Sequence, residues 1–559
     1  MNHNRIDKRN IMYIFNDGGF GGAGQSLFDL LSEIQDKVNP IVVIRDDVMV
    51  ESKFAELGIT CYKVCFFTDY ITIGHSDEKT KKIDIVQSYK AALQLLPIIK
   101  RENIQLIHIN SSVSSFAAIA ALMAHVPYIW HIRELLEEQF GYEFVNEKLK
   151  KQLYMQAEQL LSISNYIQRR YEERYNVSTV RMYNGLNLKR FKFEEKDFRP
   201  NIFLVAAMIT PEKGQWDVIC AAENLVKKGY TDIKVVIAGH GRATYVWALK
   251  KYIIKHKLEK NISILPFQDD LSDLRKRASY AITCSQNEAL GRVTIEAMLA
   301  GNVVIGAKSG GTTEIIGENE ERGFLYELHN SEDLAETMLR VMQCPDKVKE
   351  RISQRARAYA ENMFDSRQYC QEIMKLYNDK ISAFTPHKSE ELLGKLKKYY
   401  EENVDETINR KSRNTNSNNK SALLLEQVLK WLEIKQNGYT LEEYFIHNNI
   451  YNIAIYGMGA LGCRLYDELE KSRINIDYLI DRQPNGMEKV FEFSDLNEKK
   501  LKVDAIVVTV LLEEKQIIGE IRRNGYERVI GISEILKQFC SCEWRGGYLN
   551  CGFRDVKDI

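Results

Sequence analysis

Two glutamates, Glu288 and Glu296, stand eight positions apart in "NEALGRVTIEAMLAGNVVIGAKSGG", with Gly291 between them and a helix-forming run behind. On one continuous helix that spacing would put both on one face. Gly291 argues instead for a loop that runs into a helix near Val293 and ends at Gly301, a C-terminal capping glycine. Glu288 then sits in front of a helix N-terminus and Glu296 within its first turns. Free backbone N–H groups and the helix dipole favour an anion there. A carboxylate beside it accepts hydrogen bonds from hydroxyls, so the chemistry expected is capture of a ligand carrying both phosphate and hydroxyl groups.

A second constellation is "GMGALG". Gly457, Gly459 and Gly462 follow a strand-like run and open a helix, and Asp481 lies nineteen residues on at the next strand end. That is the spacing of a dinucleotide-binding turn, with the acidic residue placed for ribose hydroxyls. No downstream Tyr/Lys or Cys/His pairing stands out for redox chemistry. The tail carries Cys540, Cys542 and Cys551 with no histidine near them, one ligand short of a usual zinc site, so no metal site is assigned.

These residues need elements that end at the right place. "IMYIF", "PIVVI", "IQLIHIN" and "PYIWHI" read as buried strands alternating with amphipathic stretches, the pattern of a parallel sheet covered on both faces. A charged stretch, "FKFEEKDFRP", interrupts it, and "NIFLVAAM", "IKVVIAG", "NISILPF", "YAITCS" and "NVVIGA" restart it. "RARAYAENMFDSRQYCQEIMKLY" reads as one long helix closing that half. The fold class expected is α/β: two facing doubly wound domains over residues 1–195 and 196–385, and a third small Rossmann-like domain over 422–540. Residues 386–421, ending in "NRKSRNTNSNNKS", read as a polar linker, and 541–559 as a tail.

At 559 residues the chain exceeds one core, and 77 Lys+Arg balance 77 Asp+Glu, so bulk charge does not argue for a nucleic-acid partner. No run approaches eighteen apolar residues and "MNHNRIDKRN" lacks an apolar signal core. The expectation is a cytoplasmic protein able to touch the inner face of a membrane peripherally.

From about Ile11 to Leu376 the sequence resembles the retaining GT-B glycosyltransferases of family 4. Glu288 and Glu296 match their E-x7-E, "ITPEKGQ" their donor-phosphate loop, and "VVIAGHG", "WHIRE", "SISN" and "YNGLNLKRF" follow in the family's order. The resemblance implies a GT-B fold, with residues 1–195 as the acceptor-side domain and 196–385 as the nucleotide-sugar-binding domain, and transfer of a hexose from a nucleoside-diphosphate sugar to a glycan or lipid-linked acceptor. It gives catalytic places to Glu288, Lys213 and His131. Glu296 would hold the ribose, while Gly21, Gly22 and the backbone N–H groups of Ala289, Leu290 and Gly291 approach the sugar and diphosphate. The family's Gly-Arg pair upstream of the lysine is replaced by Ala207 and Met208, leaving Arg292 or Arg242 to stand in for that cation. No D-x-D occurs, which fits transfer without a metal, and no cofactor is implied for transfer. The last domain resembles nucleotide-binding modules appended to sugar-processing enzymes, with a nucleotide or NAD as its ligand. The alternatives are a nucleotide-sugar-binding protein without transfer activity, or a bifunctional enzyme with an NAD-dependent sugar-modifying C-terminal domain.

Overall fold

The computed structural model describes residues 8–16, 21–191, 196–198, 200–241, 243–386, 389–408, 416–436, 438–481, 490–492 and 501–540. The chain divides into two compact units, one of Met1–His240 with Ile253–Asn409 and the other of Gly241–Tyr252 with Arg410–Ile559.

The first unit holds two parallel sheets. In the first, seven strands run in the order Thr60–Val64, Val38–Arg45, Arg9–Phe15, Leu106–Ile109, Tyr128–Ile132, Gln159–Ser162, Val180–Arg181. Alternate residues of Arg9–Phe15 enter different apolar clusters: Met12 and Ile14 one, Ile11, Tyr13 and Phe15 the other. A strand buried on both faces is what its unbroken apolar run requires. The second sheet has six strands in the order Ile262–Leu265, Lys234–Ala238, Ile202–Ala206, Tyr280–Thr283, Val303–Ala307, Phe324–Tyr326. Each sheet reverses its winding once, between Arg9–Phe15 and Leu106–Ile109 and between Ile202–Ala206 and Tyr280–Thr283. The loops leaving the carboxyl ends of those strand pairs part to opposite sides and leave a crevice.

Two features differ from the sequence expectation. The long closing helix is broken into Asp346–Met363 and Ser366–Ala383. Leu186 pairs across the break, its N–H donating to the Phe364 carbonyl at 2.7 Å and its carbonyl accepting from the Ser366 N–H at 3.0 Å. Gly185 permits the approach, since a Cβ there would meet Ser366 Cα at 2.6 Å. Tyr369, Ile373 and Tyr377 of the second piece join the cluster under Ile11, Tyr13 and Phe15, so the chain returns to the first sheet. The expected linker 386–421 is also largely helical: Glu390–Ile408 is one helix and Asn416 begins another. Leu396 is buried and Tyr400 stacks on Tyr89 at 4.9 Å, packing the former against helix Glu78–Arg101. Leu392, Leu393, Leu396 and Tyr400 form an apolar stripe that the charged composition around them conceals.

The second unit contains five parallel strands in the order Val490–Glu492, Asn475–Asp481, Asn452–Tyr456, Ala505–Val508, Val529–Gly531. Ile453 and Ile455 face one apolar cluster, Ala454 and Tyr456 the other. Among the described residues no helix is long and apolar enough to cross a membrane, and no three His, Cys, Asp or Glu side chains gather in metal-binding fashion. Residues 541–559, including Cys542 and Cys551, and the side chain of Cys540 lie outside the described residues, as does Arg242.

Candidate active site

Lys213 and Glu288 are 75 residues apart in sequence, and the winding reversal of the second sheet brings them together: Nζ donates to Oε2 at 2.7 Å. Both sit on loops leaving neighbouring strands, Ile202–Ala206 and Tyr280–Thr283. The loops are locked by close backbone contact. Gly214 adopts φ +67°, and a Cβ there would lie 2.2 Å from the Cys284 carbonyl oxygen; the Cys284 thiol donates to the Lys213 carbonyl at 3.0 Å. On the far side Gly310 and Gly311 lie against the backbone of Asn287–Leu290, with the Gly311 N–H donating to the Glu288 carbonyl at 2.6 Å. Gly291, at φ +92°, then turns the chain into helix Arg292–Leu299, and Gly301 follows its end at φ +81°. Burial alone would raise the Glu288 carboxyl. The Lys213 charge and hydrogen bonds from Lys213 and Ser285 outweigh it, so the group is held below its ordinary range and ionised.

Glu288, Lys213, Ala289, Leu290, Gly291 and Arg292 line one side of a cleft of about 530 Å³, and Gly21 and Gly22 lie on the other. Gly21 precedes helix Gly22–Ile34, and a Cβ on Gly22 would meet nothing within 4 Å, so this turn offers bare backbone to the cleft. The preceding Gly18 and Gly19 lie outside the described residues.

Glu296 is placed otherwise than the expectation of two carboxylates facing one ligand. It is not among the lining residues. Its carboxylate is taken by two guanidiniums, Arg275 and Arg292, the latter at 2.9 Å. Those two charges overcome burial and hold it below the ordinary carboxylate range. Arg292 reaches on to Asp29 Oδ2 at 2.7 Å and Ser26 Oγ at 3.3 Å, tying the second sheet's helix to the first sheet's. Met208 is half exposed and supplies only its carbonyl, to Gln215 Nε2 at 2.9 Å. Arg292 lines the same cleft as Lys213.

His131 is fully buried and stands back from the cleft, while Arg133, two residues on, lines it. Arg133 donates through Nε to Asn110 Oδ1 at 3.0 Å, through Nη1 to Asn184 at 2.5 Å and through Nη2 to His131 Nδ1 at 3.2 Å. Nδ1 therefore accepts, and the imidazole is neutral: burial, then the Arg133 charge and His108, push it well below its ordinary range. His131 orients Arg133 in this structure. In "WHIRE" it is the arginine, and the glutamate after it, rather than the histidine that line the cleft. Their signal was position alone, just past a strand's carboxyl end.

In the second unit Gly457, at φ +93°, follows strand Asn452–Tyr456, and Gly459 caps helix Ala460–Leu469. A Cβ on Gly462 would lie 2.1 Å from the Gly457 carbonyl oxygen, whereas one on Gly459 would meet nothing within 4 Å. Asp481 ends the neighbouring strand and Oδ2 accepts from the Met458 N–H at 2.7 Å, so the three glycines and the aspartate are brought together.

Two parallel sheets reversing at their switch points, with an ammonium against a carboxylate on the loops there, are the architecture of proteins that bind nucleotide-like ligands in the crevice. Residues 20–190 match Glycosyltransferase Family 4 and residues 188–359 match Glycosyl transferases group 1. Across these residues the chain belongs to the family 4 glycosyltransferases. It is 23% identical over 390 residues to an Escherichia coli UDP-Gal:alpha-D-GlcNAc-diphosphoundecaprenol alpha-1,3-galactosyltransferase, covering 64% of this chain and 97% of the relative. It is 24% identical over 265 residues to an uncharacterized glycosyltransferase of Methanocaldococcus jannaschii, covering 46% and 70%. Anabaena HepE, solved in complex with UDP, superposes with a TM-score of 0.57 at 20% identity over 66% of this chain and 100% of that one.

Proposed function

We propose that the first unit is a retaining, metal-independent glycosyltransferase. It moves a hexose from a nucleoside-diphosphate sugar to a hydroxyl acceptor in polysaccharide or lipid-linked glycan synthesis. The observation that carries this reading is the Lys213–Glu288 pair at the second sheet's switch point, inside the residues that match the family. The E. coli relative, named for a UDP-Gal donor and a lipid-diphosphate acceptor, and the structure of HepE with UDP-glucose support the donor class. A lipid-linked acceptor would place the work at the inner face of a membrane.

The chemistry follows from the donor groups. A sugar hydroxyl donating to Glu288 replaces Lys213 as its partner and frees the ammonium for the leaving diphosphate. As the bond from the anomeric carbon to the diphosphate oxygen breaks, negative charge builds on that oxygen, and Lys213, Arg292 and backbone N–H groups at Ala289–Gly291 stabilise it. The acceptor hydroxyl enters on the same face, attacks the anomeric carbon and passes its proton to the departing oxygen. These protein cations do what a metal does in other transferases. In the second unit, the glycine turn open at Gly459 and Asp481 at the strand end support a Rossmann-like module binding a nucleotide, a nucleotide sugar or NAD.

The test is acceptor-dependent release of nucleoside diphosphate, after thermal-shift screening of nucleoside diphosphates and their sugars chooses the donor. A ligand at a hundred times its Kd adds about 2.7 kcal/mol to stability. Stabilisation by a nucleotide sugar without release in the presence of any glycoside acceptor would favour a binding protein instead.

A further inference from the structure

Strand Gln159–Ser162 of the first sheet runs through "SISN" into helix Asn165–Tyr175, which begins against the loop that carries Glu288. An α-helix leaves its first N–H groups without partners inside the helix. Here three of them are met from outside it. Ser164 is the N-cap, and its Oγ accepts from the Ile167 N–H at 3.1 Å. Glu314, on helix Gly310–Ile316 of the second sheet's half, accepts from the Asn165 and Tyr166 N–H groups, each at 3.1 Å. The start of the helix is thereby fixed to the other half of the first unit, and two of its side chains reach the loop.

Ser164, fully buried, donates through Oγ to the Ala289 carbonyl at 2.6 Å. Tyr166 Oη donates to Asn287 Oδ1 at 3.0 Å. Asn287 is held further by its Nδ2, which donates to the Glu138 carbonyl at 3.2 Å, and by its N–H, which donates to Ser309 Oγ at 2.8 Å. Its backbone sits in the left-handed region at φ +49°, where asparagine is tolerated. These ties have a directional consequence. A peptide unit is planar and trans, so its C=O and its N–H point opposite ways. With the Ala289 carbonyl drawn to Ser164, the Leu290 N–H faces away from it. The Glu288 carbonyl, taken by the Gly311 N–H at 2.6 Å, turns the Ala289 N–H in the same manner. Neither N–H donates to an acceptor among the described residues, and both residues line the cleft. Successive N–H groups whose carbonyls are tied back form an anion-binding concavity.

We propose that Ser164 and Tyr166 are positioning residues of the donor site, holding the Asn287–Leu290 backbone so that the Ala289 and Leu290 N–H groups meet the diphosphate. The phosphate hole of the second sheet is then completed by the first sheet's helix. This rests on the donor reading above, and the test separates the two. Calorimetry of uridine, guanosine and adenosine diphosphates is run on the full chain, with Lys213→Ala marking the part of the binding that belongs to the cleft. In Ser164→Ala the Ala289 carbonyl loses its donor, and affinity at the cleft is expected to fall about tenfold or more. Tyr166→Phe leaves the helix cap in place and should lose about three- to tenfold, whereas Ser164→Thr keeps both bonds and should stay within about threefold. Gln168→Ala is the control, because Gln168 Nε2 steadies the same helix away from the loop, donating to Glu172 Oε1 at 3.0 Å and to the Thr179 carbonyl at 2.8 Å. It should lower melting and leave Kd unchanged, since a protein that is only destabilised binds fewer equivalents at the same Kd. A folded Ser164→Ala that binds as the wild type does, or a Tyr166→Phe that does so should Ser164→Ala not fold, overturns the proposal. So does a Gln168→Ala that weakens binding as much. A wild type that binds none of the diphosphates defeats the donor reading and this proposal with it. Binding that Ser164→Ala weakens, in a wild type that transfers to no acceptor, upholds the positioning and counts against glycosyl transfer.

Discussion

Replacing Lys213 by alanine tests the site most directly, because the side chain has two partners in prospect. In the structure it neutralises Glu288 at 2.7 Å, with side chains 22% and 18% exposed respectively. Removing one member of a buried pair costs about 3–5 kcal/mol. The partial exposure of both, and the Ser285 bond that Glu288 keeps, reduce this to about 2 kcal/mol, a few degrees in Tm. In the proposed reaction the same ammonium would meet charge that grows as the leaving group departs, and loss of one preorganised donor of that kind costs roughly 2.7–4 kcal/mol, a hundred- to a thousandfold in turnover.

The two effects separate in a double variant. Lys213→Ala with Glu288→Gln leaves no unpaired buried carboxylate, so Tm recovers most of its loss while turnover does not. The assay is steady-state release of nucleoside diphosphate with a glycoside acceptor, alongside circular dichroism and melting of the wild type and both variants. A folded Lys213→Ala enzyme within a few-fold of wild-type kcat would refute the reasoning and pass the role to Arg292.

Gly214→Ala forces a Cβ at φ +67° against the Cys284 carbonyl; melting should fall by about 1–3 kcal/mol and turnover with it, as Lys213 shifts. Glu296 sits below its ordinary value of 4.5. Its contribution to stability is therefore complete above pH 4.5 and lost as pH falls through the lower folded value. Glu296→Gln should melt lower at pH 7 and show a shallower decline in Tm below pH 4.5 than the wild type. A chain ending at 385 exposes the face that Leu396 and Tyr400 cover and should melt lower than one ending at 408. Chelator treatment should leave turnover within a few-fold, and loss of activity restored by manganese or magnesium would sink the metal-free mechanism.

The parallel sheets were legible because strands buried on both faces are unbroken apolar runs, as in "IMYIF" and "YAITCS". The turn at Gly291 was legible because a glycine between a carboxylate loop and a helix former has few other uses. What sequence could not show is pairing across distance. Asp29 carries no local sign that it meets Arg292, 263 residues away. Glu296 matches a motif, yet its occupation by Arg275 and Arg292 depends on the packing of separate helices. The helix break at Phe364 comes from Leu186 and Gly185, invisible in the amphipathic pattern of the helix itself. The stripe of Glu390–Ile408 was masked by its charged neighbours.

The pairings bear on the replacement of the family's arginine by Met208. On the second sheet's wall of the cleft each cation already has an anion: Lys213 has Glu288, and Arg292 has Asp29 and Glu296. A diphosphate entering such a site gains little from a cation whose charge is already neutralised. The exchange at Glu288 changes this. In the proposed mechanism a sugar hydroxyl that took the carboxylate would make Lys213 available to the diphosphate, so the cation would be released only by a ligand carrying both groups. Free nucleoside diphosphate lacks the transferred sugar's hydroxyls and should bind more weakly than the nucleotide sugar, by an amount that Glu288→Gln abolishes. The carboxylate that is first in the motif would thus set donor selectivity as well as hold the sugar.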